Sequence, residues 1–190
     1  WILDKPRDLS PRFGDKYREA WAFYAEENHA AARGIAEQLK TYPGRNAKEE
    51  VKYRILAASL ASRQQDDATE LQHLKRVVKF QDLALDNNFA NTYMPSEQYL
   101  KVLKRIMELQ LGGYMLADAG HTLDDIQALG GGSALASDAT ARFRQAEQAF
   151  RSLDDLPVEG EVTALYPGGP GSWKTGLSRQ RFAISGVQGR

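Results

Sequence analysis

The sequence predicts a mainly α-helical chain of paired antiparallel helices, about three pairs plus a capping helix, ending in a short β segment. Three observations predict this. Apolar residues recur at three- and four-residue spacing through most of the chain. Short polar or glycine breaks divide that pattern into rods of one to two dozen residues. After Pro157 the pattern changes to short apolar alternation around a Gly/Pro-rich loop.

Residues 1–14, with Pro6, Pro11 and Gly14, read as an extended lead-in. From Asp15 the pattern is helical, with Tyr17, Trp21 and Tyr24 on one face. Glu27-Asn28-His29 is a polar interruption and predicts a turn. Ala32, Ile35, Ala36 and Leu39 resume the helical spacing until Pro43-Gly44. A third helix spans residues 47–63, with Val51, Ile55, Ala58 and Ser62 on one face. Gln64-Gln65-Asp66-Asp67 breaks it, and either aspartate can cap a fourth helix carrying Leu71, Leu74, Val78 and Leu85. Residues 86–95 are rich in turn formers. Ser96 is placed to cap a fifth helix with Leu100, Leu103, Ile106 or Met107, and Leu109. Gly112-Gly113 ends it, and a sixth helix is expected from Tyr114 to Leu129, weakened at Gly120 with a second start at Thr122. Gly130-Gly131-Gly132-Ser133 is a flexible joint. Ala139, Phe143, Ala146, Phe150 and Leu153 mark a last helix. The organisation expected is a lead-in over 1–14, a helical domain over 15–153 and a β-rich tail over 158–190. Because a two-stranded tail cannot close a core alone, it is read as the start of a truncated second domain, and the sequence as a piece of a longer protein.

Composition narrows the function. The chain has 190 residues with 25 Lys plus Arg, 25 Asp plus Glu, and no Cys. Balanced charge argues against nucleic acid as the partner, because phosphate binding draws on a cation surplus. Absence of Cys excludes disulfides, thiol catalysis and cysteine-based zinc sites. No apolar run reaches the roughly 18–20 residues of a membrane helix, so any anchor would lie outside this sequence.

The helix breaks share a local pattern. Each of Glu27 to Ala32, Gln65 to Glu70 and Gly112 to Ala117 ends one helix, turns tightly and starts another. Two helices that approach closely after a tight turn need a small residue there, with a flat ring beside it. Gly112, Tyr114 and Ala117, with Ala32 and Pro43 in the first unit, resemble the tetratricopeptide repeat (TPR) family. The second unit departs from that pattern, with Glu70 in the alanine position, and the spacing from Ala32 to Glu70 to Ala117 is 38 and then 47 residues. The resemblance implies a degenerate TPR-like superhelix over about residues 15–130. It also implies a concave groove that binds a protein or peptide partner without catalysis or cofactor. The groove candidates are Tyr17, Tyr24, Lys52, Ser59, Arg63, Lys101 and Arg105, whose cations would clamp an acidic or C-terminal carboxylate. In the tail, Trp173, Leu177, Arg179 and Phe182, followed by Val187 and Gly189, resemble the segment after helical repeats in TonB-like energy transducers of proteobacterial envelopes. That resemblance implies a periplasmic location, free or anchored in the inner membrane facing the periplasm; without it the alternative is cytoplasmic.

Gly168 to Thr175 approaches a nucleotide-binding P-loop, but Trp173 stands where glycine must precede the lysine, and Pro170 removes a cradling amide. His121, with Asp118, Asp124 and Asp125 nearby, reads as capping and surface solvation, and no Ser sits in a G-x-S-x-G elbow. Glu26-x-x-His29 and Glu70-x-x-His73 have the spacing of di-metal carboxylate sites, so a helical di-metal enzyme is the alternative function. The bland reading has His29 packing at a turn and His73 pairing with Glu70 on a solvated face. A purely structural helical domain that positions the β segment is the remaining alternative.

Overall fold

A computed structural model describes residues 9–86 and 93–154. Seven α-helices occupy them: α1 (Pro11–Ala25), α2 (His29–Lys40), α3 (Ala47–Arg63), α4 (Asp67–Asp86), α5 (Ser96–Gly112), α6 (Leu116–Gly130) and α7 (Ala134–Asp154). No strand occurs among the described residues, and the expected β segment lies outside them. Among the described residues no helix is long and apolar enough to cross a membrane. The chain divides into two compact units, Trp1–Ala139 and Thr140–Arg190, with the division inside α7.

Helix starts follow local chemistry. α1 begins at Pro11, four residues before the expected start at Asp15, because proline's fixed φ and missing N–H suit the first helical position. Asn28 caps α2 by accepting from the Ala31 amide. Asn46 and Glu49 form a reciprocal capping box on α3. Asp66 accepts from the Thr69 amide at the start of α4. Ser96 does not cap α5 as expected; Pro95 holds the cap position without a side-chain bond, and Ser96 is already helical.

The first unit is assembled from three hairpins, α1–α2, α3–α4 and α5–α6. Their turns are alike. Glu27, Gln65 and Tyr114 each take a left-handed conformation, with φ near 60°. The next amide bonds back across the turn, from Asn28 to Phe23, Asp66 to Ala61 and Met115 to Gln110. This is a Schellman ending, in which the residue after the left-handed one also opens the next helix. Tyr114 is therefore the turn itself, and α6 starts at Leu116, not at Tyr114; it runs through Gly120 and Thr122 without a second start.

Counting from Asn28, Asp66 and Met115 puts the hairpins in register. The fourth residue onward is Ala32, Glu70 and Ala119, and all three are buried. The close-approach residue of the third hairpin is thus Ala119, while Ala117 is exposed, and the spacing becomes 38 and 49 residues. The eighth position holds Ala36, Leu74 and Leu123, and the eleventh Leu39, Val77 and Ile126, again all buried. Eight residues before the turn stand Ala20, Ala58 and Met107, also buried. The α4 face differs from expectation. Glu70, Leu74, Val77, Gln81 and Ala84 are buried, while Leu71 and Val78 are half-buried. α3 also buries Tyr53, Leu56, Leu60 and Ala61, because it is enclosed by α1, α2 and α4; Ile55 and Ser62, expected on its buried face, are only half-buried.

Within the second unit, α7 keeps Phe143, Ala146 and Phe150 half-buried, and Arg151 pairs with Glu147 at 2.7 Å.

Candidate functional site

α1 and α3 lie side by side and parallel. The Ser10 amide donates to Glu49 Oε1 at 2.8 Å at one end, and the Tyr24 hydroxyl donates to the Ser59 carbonyl at 3.4 Å at the other. Glu49 is the fastener at the first end. It is buried, and its second oxygen accepts the Asn46 amide at 3.0 Å.

This pairing brings most of the expected groove residues onto one surface. Along α1, Phe13, Tyr17, Trp21 and Tyr24 contact one another in sequence. Phe13 and Tyr17 stack at 6.2 Å, and the Tyr17–Trp21 and Trp21–Tyr24 pairs meet edge to face at 6.1 and 5.1 Å. Phe13 is fully buried, while the other three are half-buried. Burial pushes the Tyr17 hydroxyl above the usual phenol range, so it stays protonated at neutral pH. On α3, Arg63 donates through Nε to the Tyr24 hydroxyl at 3.1 Å and lies over the Tyr24 ring at 5.4 Å. Tyr24, Ser59 and Arg63 are therefore one constellation.

Lys52 sits towards the start of α3, half-buried, and makes no ion pair among the described residues. Burial, and then repulsion from Lys48 one turn earlier, lower its pKa. A cation desolvated beside another cation is stabilised by any anion that approaches.

The two α5 candidates are engaged otherwise. Lys101 is exposed and pairs with Glu97 at 2.6 Å. Arg105 forks onto Glu70, with Nε at 2.7 Å and Nη2 at 2.8 Å from its two oxygens. Glu70 stands where the other hairpins carry alanine, with its side chain only 5% exposed. This explains the anomaly of the second unit: a charge occupies the close-approach position because an arginine of the following hairpin neutralises it.

The residues of the di-metal alternative are not assembled. Glu70 faces Arg105, and His29 packs against the Tyr24 ring at 5.5 Å, as expected for a turn residue. His73 does not pair with Glu70; it meets the Tyr53 ring edge at 6.2 Å, and its Nδ1 faces Arg54 Nη1 at 3.1 Å. Among the described residues no group of three His, Asp or Glu is placed to hold a metal ion.

Sequence reasoning missed two clefts on the α3–α4 side. One, of about 360 Å³, is lined by residues of α2, α3 and α4 that include Arg33, Tyr53, Arg54 and His73. The other, of about 370 Å³, is lined by Glu50, Arg54, Arg76, Lys79, Phe80 and Leu83. Arg54 belongs to both. Between them Glu50 is buried, holding Arg54 Nε at 2.6 Å and also Arg45. Arg45 in turn donates to the Leu39 and Lys40 carbonyls at the end of α2, at 2.6 and 3.0 Å, and lies over the Tyr53 ring. The available signal was the four-residue spacing of Glu50 and Arg54. It marked a pair, but not a buried one.

No family model, no curated protein sequence and no solved structure matches the chain.

Proposed function

We propose that this chain is a non-enzymatic interaction module of the TPR-like class, which holds a protein or peptide segment against the α1–α3 surface. The observation that carries the reading is the run Tyr17, Trp21 and Tyr24, half-buried and mutually packed, with Arg63 stacked on Tyr24 and, on the same helix as Arg63 two turns before Ser59, Lys52 without an ion partner among the described residues. Rigid aromatic side chains offer large contact area at little entropic cost, and a desolvated lysine rewards a carboxylate. The preferred ligand is an extended peptide with an apolar residue on the rings and an acidic side chain or free C-terminus at Lys52. The three in-register hairpins support the TPR-like part of this reading, since stacked helix pairs present the first helix of each pair to a partner. The periplasmic envelope setting proposed with it rests on the resemblance of residues 173–189, which lie outside the described residues.

The test is selection from a random peptide library displayed with free C-termini. Enriched peptides should carry acidic or carboxylate-terminal ends next to an apolar residue. Their binding should fall at least about tenfold in Lys52→Glu and in Trp21→Ala, a loss of about 1.4 kcal/mol each. Failure to enrich any binder, or binders indifferent to both substitutions, would refute the assignment.

A further inference from the structure

We propose that the α3–α4 cleft formed by Arg54, Arg76, Lys79, Phe80 and Leu83 is a second docking site, for an acidic polypeptide segment that carries an apolar side chain among its carboxylates. Arg76, Lys79, Phe80 and Leu83 fall at spacings of three, four and seven on α4, so they form one stripe along that helix. The stripe joins two kinds of surface. Arg76 and Lys79 are exposed and make no ion pair among the described residues. Leu83 is 37% exposed, and Phe80 is half-buried beside it in the cleft lining.

The cleft's own carboxylate cannot serve these cations. Glu50 has a side chain only 4% exposed and already holds Arg45 and Arg54. Among the described lining residues, Arg54 is thus committed to Glu50, and Arg76 and Lys79 are left as two cations without a carboxylate of their own. The chain as a whole is balanced, with 25 acidic and 25 basic residues, so this local surplus is a property of the cleft and not of the composition.

The geometry selects among anionic ligands. A volume of about 370 Å³ lies at the small end of clefts that take an organic side group. A phosphate backbone or a free phosphate would use the rim and make no apolar contact with the cleft lining. An acidic peptide with one leucine or phenylalanine uses both, setting the apolar group on Phe80 and Leu83 and its flanking carboxylates on Arg76 and Lys79. The site shares no residue with the α1–α3 surface and stands or falls separately from it.

The experiment uses the full chain and a fluorescein-labelled peptide, Gly-Asp-Asp-Leu-Asp-Phe-Glu-Gly, read by fluorescence anisotropy. Saturable binding is expected. It should weaken at least about tenfold in the Arg76→Glu/Lys79→Glu double variant and in Leu83→Asp, and weaken further as salt rises. A peptide with Leu and Phe replaced by Ser should bind about tenfold less tightly. Trp21→Ala should leave the affinity unchanged. The substituted positions are on the surface, and unchanged helical circular dichroism establishes that each variant is folded. Absence of saturable binding overturns the proposal. So does unchanged affinity in the charge-reversed variant, equal binding of the serine peptide, or displacement by polyphosphate or duplex DNA as effective as by unlabelled peptide.

Discussion

Replacing Arg105 by methionine isolates a charge packed between the second and third hairpins. The substitution keeps most of the apolar stem and removes the guanidinium that forks onto Glu70 at 2.7 and 2.8 Å. The carboxylate left behind has a side chain 5% exposed, and stranding a buried partner typically costs about 3–5 kcal/mol. The Arg105 side chain is 40% exposed, however, so water enters where the guanidinium stood and relieves part of that cost. The expected loss is therefore about 2 kcal/mol. For a unit of this size that is a fall of roughly 8 °C in Tm. The decisive step is the second substitution. Glu70→Ala restores the residue type found at the same position in the other hairpins, Ala32 and Ala119. Added to Arg105→Met, it removes the stranded charge and should recover at least about 1 kcal/mol. Urea denaturation of the wild type, both singles and the double closes the cycle. A double variant less stable than Arg105→Met alone would refute the reasoning, since Glu70 would then be stabilising by packing and not through its arginine.

Three further outcomes follow from particular positions. Gly34 lies inside α2 with open space around an added Cβ, so Gly34→Ala should raise stability by about 1 kcal/mol, measured by the same denaturation. Gln65 holds a left-handed φ of 58° at an exposed turn, and Gln65→Gly should stabilise by about 0.5–1 kcal/mol, whereas Gln65→Val should destabilise. The His73 imidazole is held below its usual range by burial and by Arg54. The unfolded chain therefore takes up a proton before the folded one. The contribution is intact above the unfolded value near 6.5 and is lost as pH falls below it. Stability should decline from about pH 7 to pH 5.5, and His73→Gln should flatten that part of the profile.

Helix number and most boundaries were legible because each rod carries its own apolar spacing, and three of them a side-chain cap. Asn28, Asn46 and Asp66 announce their helices locally. The misses share a cause. Whether Val77 or Val78 faces inward depends on what packs against α4, and that cannot be read from α4 itself. The third turn lies two residues beyond the expected one, because Gly112 looks like the natural counterpart of Glu27 and Gln65, yet Tyr114 takes the left-handed conformation. The aromatic face of α1 was readable from spacing, but its contacts with Ser59 and Arg63 were not, because nothing in α1 itself says which stretch of α3 lies beside it. Glu49, Glu50 and Glu70 were not, because a buried carboxylate looks like a surface one until its partner is found 39, 5 or 35 residues away.

Those three glutamates share a physical logic. Each stands near the start of a helix, where the positive end of the helix dipole favours an anion. Each then binds a group from another segment: the Ser10 amide ahead of α1, Arg45 in the α2–α3 loop, and Arg105 on α5. Burial of apolar surface alone would hold the hairpins together but would fix their relative positions poorly, since small and branched side chains repack readily. A directional bond from a buried carboxylate allows fewer alternatives, because a slip of one turn would leave its charge unpaired. On this argument the glutamates set the register between neighbouring segments. Loss of Glu49 should then change the spacing of α1 and α3, and with it the alignment of Tyr24 with Ser59 and Arg63. A Glu49→Gln variant that keeps its stability and the environment of Trp21, read by the indole resonance in NMR, would show that packing alone sets the alignment.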